Sequence, residues 1–336
     1  MRSLRTVLLS SAAACAVAPA GCEWMRNGRE RDPNPKPAGL TAAEMKKVQP
    51  QQLVAYLNQQ ANALRAVSYT EVKVSATEAG RDYPTLRDCT LFAAQPRKFR
   101  LECGTMITSH ELDLGSNEQE FWMYLKRLDG PNFFFCSHED FDRRAVNFPV
   151  PFDPDWVMMA LGMTHYDPAD RYTMEYDEKN SRYWLRQQTT TRQKQSITKT
   201  TVFNADYERG RFPVVRGHLI EDQNKNRVCW AEVEAVNNHP LGKDPATGRE
   251  AFVQVPTRVT LEWPQQKFRM KLTLEGETVN DPDLTGNSQR AAVLFTRPDI
   301  RGSNPIDLAR YQFTPAPTPR GQAPGDTKSR RRWVWQ

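Results

Sequence analysis

The side chains that most often hold metal ions or transfer protons are scattered along this sequence. Its five histidines stand at positions 110, 138, 165, 218 and 239, without the H-x-x-x-H or H-E-x-x-H spacing of metal-binding helices. The sequence also has no G-x-S-x-G motif, no glycine-rich phosphate loop and no C-x-x-C pair. We therefore predict no catalytic residues, no metal site and no cofactor, and we expect a protein that is not an enzyme.

A short acidic segment is the remaining candidate for catalysis. His138, Glu139, Asp140 and Asp142 lie close together in the sequence and could form an acidic site. Charged side chains are mostly exposed to water, so an ordinary surface turn is the favoured interpretation. A hydrolase that uses these carboxylates is the least favoured function.

Cys22 is the residue where we expect covalent chemistry. Arg2 and Arg5 precede an apolar run over residues 7–17, which is typical of a secretory signal peptide and too short for a membrane span of about 20 residues. Ala20 and Gly21 directly before Cys22 resemble the bacterial lipobox, in which the cysteine accepts a diacylglyceryl group. These features predict a signal peptide over residues 1–21 and a lipid anchor on Cys22.

The same segment allows a second interpretation. Pro19 stands where the lipobox usually has an aliphatic residue, and residues 18–20 also fit an A-x-A cleavage site that would release a soluble protein from Gly21. We favour the anchor, and with it a place in the cell envelope that faces the periplasm. Glu23 follows the cysteine instead of the aspartate that retains many lipoproteins at the inner membrane, which favours the outer membrane.

Composition limits the partners and the fold class. The formal net charge is +6, but part of the excess lies in the signal peptide and in the basic residues 328–332, so nucleic acid is not an expected partner. Fifteen Phe, ten Tyr and eight Trp beside 17 Gly favour strands over a helical bundle. We expect a monomer whose partners are a membrane and acyl chains.

Two cysteines in the exported part of the chain are spaced for a disulfide. Cys89 and Cys103 are equidistant from Pro96, so a turn centred there would place them opposite each other on a hairpin. Directly opposed residues in a non-hydrogen-bonded pair lie about 4.5 Å apart at Cα, near the range that a disulfide needs. A register slip of one residue would separate them, and buried thiols are the alternative.

The pattern along the chain predicts a mainly β domain over residues 40–312. Residues 22–39 have the composition of an extended spacer, and residues 313–336 that of a disordered basic tail. Thr41 and Glu44 form a capping box for an amphipathic helix that we predict to residue 67. We predict strands near residues 69–77, 87–95, 98–104, 106–114, 120–127, 171–177, 181–189, 197–204, 213–221, 227–236, 255–262 and 267–275.

A second, short helix is predicted over residues 154–163, with Asp155 at its start and Gly162 near its end. Two helices cannot cover a flat sheet of about a dozen strands. We therefore expect a curled antiparallel sheet, an open half-barrel, with the N-terminal helix and the short central helix as its lid.

Several segments resemble the LolA/LolB-type family of lipoprotein carriers. They are the N-terminal helix, the strand pair around residues 95–100, and residues 112–117 before 121–124, followed by residues 153–163, 213–216 and 255–264. The resemblance spans residues 40–310 and implies a half-barrel whose inner face and helical lid form an apolar cavity for acyl chains. Gln95 stands where the soluble carriers have a functionally important arginine, and the exposed apolar loop tip of the membrane-bound members has no clear counterpart.

Six residues are candidates for contact with acyl chains. The three consecutive Phe at 133–135 cannot all face one side of a strand, so Phe133 and Phe135 could face a cavity, although a strand buried on both faces is the favoured interpretation. The short helix offers a soft surface that adapts to varied chains, with ordinary core packing as the alternative; its candidates are Trp156, Met158, Met159 and Met163. The predicted function is binding of acyl chains or lipoproteins. The main alternative is a structural envelope lipoprotein with a filled interior.

Overall fold

Apolar and polar residues alternate through much of the chain and fold it into one sheet. The structure is a computed structural model that describes residues 46–104, 110–126, 132–143, 154–191, 194–205, 214–243, 250–285 and 288–311. All of them belong to one unit, Ala38–Gln336. The predicted signal peptide, Cys22 with its spacer, and the tail 313–336 lie outside the described residues and stay predictions.

Fifteen strands are found in the described residues. Their bounds are β1 (Ala66–Glu78), β2 (Arg81–Asp82), β3 (Leu86–Ala94), β4 (Lys98–Cys103), β5 (Leu112–Ser116), β6 (Glu120–Leu125), β7 (Phe133–Ser137), β8 (Tyr172–Asp177), β9 (Arg182–Thr190), β10 (Ser196–Asn204), β11 (Val215–Asp222), β12 (Arg227–Lys243), β13 (Glu250–Trp263), β14 (Phe268–Val279) and β15 (Ile306–Asp307).

The strands form a single curled sheet that does not close. They pair in the order β15-β7-β6-β5-β4-β3-β1-β14-β13-β12-β11-β10-β9-β8, and β2 pairs with β1 beside this path. Every pairing is antiparallel except that of β15 with β7. Within the described residues, β8 and β15 are the two edges of the sheet. The predicted open, mainly antiparallel half-barrel is confirmed.

Alternation along each strand gives the sheet two different faces. We call the face that carries Leu101 and Met123 the inner face, and the face that carries Arg100 and Trp122 the outer face. The inner face holds the largest cluster of buried apolar side chains, which extends from β7 through the centre of the sheet to β12. Because successive side chains point to opposite faces, the aromatic-rich strands β6 and β7 bury residues on both.

Helix α1 (Pro50–Ala63) is shorter than predicted. Residues 46–49 are not helical, because Pro50 lacks an N–H and is tolerated only in the first turn of a helix. The predicted start at residue 41 is therefore wrong, and Thr41 and Glu44 lie outside the described residues. The helix now starts with a local cap, in which the Gln49 backbone N–H donates to Gln52 Oε1 at 2.8 Å.

The C-terminal end of α1 is held by the side chain of Gln95. Its Nε2 donates to the carbonyl oxygens of Ala61 at 2.6 Å and Leu64 at 3.1 Å. These carbonyls have no partner within the helix. Gln95 thus joins the turn between β3 and β4 to the end of the helix.

The short central helix is present, but it ends earlier than residue 163. It is helix α3 (Pro154–Ala160), and helix α2 (His138–Arg143) precedes it in the chain. Gly162 has a φ of +77° and ends α3, because its N–H and that of Met163 turn back to the carbonyls of Met159 and Met158 at 3.0 and 2.9 Å. A glycine adopts this left-handed conformation at little cost.

Two layers cover the sheet. On the inner face, α3 packs on the large central cluster and α1 packs on β9 and β10 through Leu53, Tyr56 and Leu57. On the outer face lies the chain that follows β14, which includes helix α4 (Gln289–Leu294) and ends by adding β15 to the sheet. Among the described residues no helix is both long and apolar enough to cross a membrane.

Some strand predictions were wrong in detail. The strand predicted over residues 106–114 is β5, which begins at Leu112 and continues to Ser116, because Gly115 and Ser116 belong to the strand and not to the turn. Residues 106–109 of that prediction lie outside the described residues. The turn begins at Asn117, whose Oδ1 accepts the backbone N–H groups of Gln119 and Glu120 at 2.9 Å each. Strands β2 and β15 and helices α2 and α4 were not predicted, whereas β7 confirms that the three Phe at 133–135 lie on a strand with residues buried on both faces.

Candidate functional site

A cleft opens where the two inner-face helices come together over the sheet. Its walls are α1, the residues from Met159 to Tyr166, and strands β11, β12 and β13. Most of its surface is apolar, including Leu57, Leu161 and Val233. The cavity measures about 40 Å³, which is room for about three water molecules. In this conformation the cleft is therefore nearly filled by the protein's own side chains.

Polar groups form the floor of the cleft. Thr201 on β10 and His218 on β11 are directly opposed in the sheet, and Thr201 Oγ1 lies 3.2 Å from His218 Nδ1. The Tyr166 hydroxyl completes the group, at 3.2 Å from Thr201 Oγ1 and 3.5 Å from His218 Nδ1. His218 and Tyr166 also line the cleft. Two neighbouring strands and the segment after α3 thus place three hydrogen-bonding side chains together in an apolar setting.

Burial keeps this group uncharged. It lowers the pKa of His218 to about 4 and raises the pKa of Tyr166 to about 12, because the charged form of each is poorly solvated away from water. Both are neutral near pH 7. The group can exchange hydrogen bonds with a ligand but offers it no ionic partner.

Helix α1 is fastened to both sides of the cleft. The Asn58 side chain donates to the Tyr166 carbonyl and accepts the Tyr166 N–H, both at 2.8 Å. On the opposite wall, Gln60 Oε1 accepts the Gln254 N–H at 2.9 Å, and the Tyr56 hydroxyl donates to Gln254 Oε1 at 2.9 Å. These bonds fix the position of α1 over the floor.

Of the four residues proposed on the short helix, only Met159 lines the cleft. Met158 and Met163 are buried in the central inner cluster, where they act as core side chains. Trp156 is half-buried at the edge of that cluster, with its ring 6.3 Å from the ring of Trp263.

Phe133 and Phe135 lie on the outer face, on the far side of the sheet from the cleft. Phe133 packs with Tyr124 and Ile300, and the Arg297 guanidinium lies 3.7 Å from the centre of the Phe135 ring. Phe134 is the residue of the run that faces inward. The six residues expected to contact one ligand therefore do not form one site, because β7 presents alternate residues to opposite faces.

Cys89 and Cys103 are joined by a disulfide across β3 and β4. They are paired directly in the ladder, with Cα atoms 4.1 Å apart. Cys136 and Cys229 are buried thiols, and burial raises the pKa of Cys136 to about 12, which keeps it protonated and unreactive.

A buried ion pair on the outer face was not anticipated. Asp113 accepts from Arg100 Nη2 at 2.8 Å and from Trp122 Nε1 at 2.7 Å, and Arg100 Nη1 donates to the Leu294 carbonyl at 3.0 Å. Burial raises the pKa of Asp113, although the Arg100 charge opposes the rise. The alternation around Arg100 and Asp113, each set between two apolar inner-face residues, was the signal that could have revealed this pair.

Glu102 and His110 lie beside this pair, and with Asp113 they are the one trio of possible metal ligands in the described residues. The Arg100 guanidinium contacts Asp113 at 2.8 Å and Glu102 at 3.3 Å. Its fixed positive charge is shared between the two carboxylates and would repel a metal ion. We therefore interpret this group as a structural network that fastens the outer layer to the sheet.

The acidic segment at 138–142 has structural contacts. Glu139 forms an exposed ion pair with Arg143 at 2.6 Å, and Asp140 exchanges hydrogen bonds with Ser137 at the start of α2. His138 Nε2 lies 3.3 Å from Ser116 Oγ, but it also lies 2.9 Å from the Asn117 carbonyl. A ring nitrogen that bonds to a carbonyl carries the proton, so Nε2 does not act as a base toward this buried serine.

Comparison with known proteins gives similarity of fold at low sequence identity. No protein-family model matches the sequence, and no curated protein matches it. The chain is similar to the structure of a DUF1329 family protein from Desulfovibrio piger, with 11% identity over 71% of this chain and 96% of that chain and a TM-score of 0.44.

Two further solved structures are similar. One is a putative outer membrane lipoprotein-sorting protein domain from Vibrio parahaemolyticus, at 8% identity over 73% of this chain and 98% of that chain, with a TM-score of 0.46. The other is a LolA superfamily protein from Nitrosomonas europaea, at 8% identity over 70% of this chain and 97% of that chain, with a TM-score of 0.41.

Proposed function

We propose that this protein is a non-enzymatic lipid-binding protein of the bacterial envelope, which holds an acyl chain in the cleft between α1, α3 and β11–β13. The observation that carries the proposal is the cleft itself, because its walls are apolar and two helices lie over it. Burial of apolar surface at about 25 cal/mol per Å² supplies the affinity. A protein of this kind needs no reacting group.

Entry of a chain requires the cleft to widen, since its cavity of about 40 Å³ is far below the roughly 300 Å³ at the lower end of ligand pockets. Helix α3 and its C-terminal turn contribute the apolar side chains of Met159, Ala160 and Leu161 to the cleft. An outward shift of this wall would expose apolar surface that the acyl chain then covers. In this proposal the structure corresponds to the closed form of the cleft.

Native mass spectrometry with lipid extraction tests the proposal on the full-length chain that carries Cys22→Ser. We expect acyl lipid in stoichiometric amount, and its loss in Val236→Trp, where an indole fills the cleft. Val293→Trp is the matched control, because Val293 is 69% exposed on the outer layer. A protein that carries no lipid and takes up no fluorescent acyl probe would overturn the proposal.

The second candidate is a structural envelope protein with a filled interior. It is favoured by one observation, the small volume of the cavity beneath the two helices. The same experiment separates the two functions, because a scaffold stays empty and is unchanged by Val236→Trp in its lipid content.

We further propose that residues 1–21 are removed, that Cys22 carries the lipid anchor, and that residues 22–39 are a spacer. The lipobox-like residues before Cys22 support this. Metabolic labelling with an alkyne fatty acid in a two-membrane bacterial host tests it. Label should be lost in Cys22→Ser and kept in Cys15→Ser, and it should fractionate with the outer membrane. Label that persists in Cys22→Ser, or a soluble unlabelled protein, would refute the anchor.

A further inference from the structure

The floor of the cleft is unusual in having hydrogen-bonding capacity but no charge. Among the described residues that line it there is no Asp, Glu, Lys or Arg. Its polar side chains include Tyr166, His218 and Gln254. His218 is only 3% exposed, and its neutral ring is the most deeply placed basic group.

One nitrogen of His218 is occupied and the other is available. Nδ1 faces the hydroxyls of Thr201 and Tyr166 at 3.2 and 3.5 Å. When either hydroxyl donates to Nδ1, the ring proton sits on Nε2 and can be donated. Nε2 has no hydrogen-bond partner among the described residues, so it is a donor that a ligand can satisfy.

A free fatty acid and its ester place different demands on such a floor. An ionised carboxylate loses its hydration on entry and finds no cation in compensation, which makes its burial costly. An ester carbonyl is a neutral acceptor and gains the donor that awaits it. The same acyl chain should therefore bind better as an ester than as an acid.

We propose that the cleft selects uncharged acyl esters over free fatty acids, with the Nε2–H of His218 as the donor to the ester carbonyl and Tyr166 as a positioning residue that helps to hold this tautomer. This inference rests on the proposed lipid-binding function and adds the chemical class of the ligand's head. The acyl chain provides the affinity, and the polar floor provides the discrimination. The identity of the group beyond the ester is left open by the chemistry of the floor.

Competition against a fluorescent acyl glyceride at pH 8 tests the selection, with monooleoylglycerol and oleate as probes that share one chain. The full-length chain with Cys22→Ser should bind monooleoylglycerol at least about tenfold more tightly than oleate, as expected for a good hydrogen bond gained and a charge not buried. In His218→Phe the ester should bind more weakly, so the difference in affinity between monooleoylglycerol and oleate should shrink. Oleate binding should stay the same.

Tyr166→Phe is the second variant, since it removes one hydroxyl and is less disruptive than loss of the buried ring. Tyr166→Phe should also reduce the preference for monooleoylglycerol over oleate. Tyr83→Phe is its control, because Tyr83 bonds to Glu78 away from the cleft and should leave selectivity unchanged. Equal affinity for the two probes, or tighter binding of oleate, overturns the inference while lipid binding itself stands. Binding of neither probe overturns both.

Discussion

Removal of the Cys89–Cys103 disulfide should lower the stability of the sheet by a predictable amount. The cysteines are 14 residues apart in sequence, and the cross-link therefore restricts a loop of that length in the unfolded chain. The loop-closure relation gives about 3 kcal/mol for a loop of this size. For a domain this large that loss corresponds to about 6 °C in Tm.

The double variant Cys89→Ala/Cys103→Ala measures this loss in urea unfolding, beside the wild type with and without reductant. Alanine avoids placing a hydroxyl on the buried inner face. Cys229→Ala is the matched control, because it removes a buried sulfur but no covalent link. We expect the double variant to lose clearly more than twice the control, and reduced wild type to follow it.

Two results would refute this reasoning. If reductant leaves the unfolding midpoint unchanged while both thiols become accessible to alkylation, the cross-link does not stabilise the fold. If the double variant loses no more than twice the control, packing of the sulfurs accounts for the whole effect. The disulfide also demands an oxidising compartment, so protein made in a reducing cytoplasm should show the reduced midpoint.

Three further predictions concern single residues. The pKa of His218 is about 4 in the folded protein against about 6.5 in the unfolded chain, so the protein loses stability as the pH falls from 6.5 toward 4. Between pH 7.5 and 4.5, the free energy of unfolding should fall by about 2 to 3 kcal/mol less in His218→Gln than in the wild type, as measured by urea unfolding. The exposed His165→Gln should show the same fall as the wild type. Gly115→Ala should cost about 1 to 3 kcal/mol, because the new Cβ would lie 2.1 Å from the Trp122 ring; an unchanged thermal midpoint would contradict this. Gln95→Leu leaves the carbonyls of Ala61 and Leu64 without this donor and should cost about 1 to 2 kcal/mol, with faster hydrogen exchange confined to the C-terminal end of α1.

Period-two patterning was sufficient to predict the sheet, because nearly every strand buries one apolar face. The same patterning predicted the disulfide as one of two alternatives, because a hairpin centred on Pro96 places Cys103 opposite Cys89. Period-two patterning did not assign side chains to a face where a strand is buried on both faces. In β7 the three Phe give no alternation from which to assign a side, and the outer layer that covers Phe133 comes from a distant part of the chain.

The start of α1 is set by Pro50 and not by the capping box at Thr41, because a proline nine residues into a helix breaks its hydrogen-bond ladder. The apolar spacing from Leu53 onward was sound, and it alone marks the part of the segment that is helical in the structure.

The floor of the cleft was only partly within reach of the sequence. The strands predicted over 197–204 and 213–221 are neighbours in the sheet, but their predicted bounds would oppose Thr201 to Arg216, whereas the observed register opposes it to His218. The sequence did not supply Tyr166. Its place depends on the turn after α3 and on the two bonds to Asn58, which are tertiary contacts without a local signal.

The different fastening of the two helices indicates how a ligand could enter. Helix α1 is tied by side-chain hydrogen bonds to Tyr166, to Gln254 and to the turn at Gln95, so moving it would break polar contacts on three sides. Helix α3 is held mainly by apolar packing, with an ion pair between Arg97 and Asp155 at 3.4 Å that is partly exposed and hence weak. Apolar contacts can be exchanged for contacts with an acyl chain, whereas broken hydrogen bonds cannot. If the protein binds an acyl chain as proposed, we therefore expect the α3 wall to move and α1 to keep the polar floor in place.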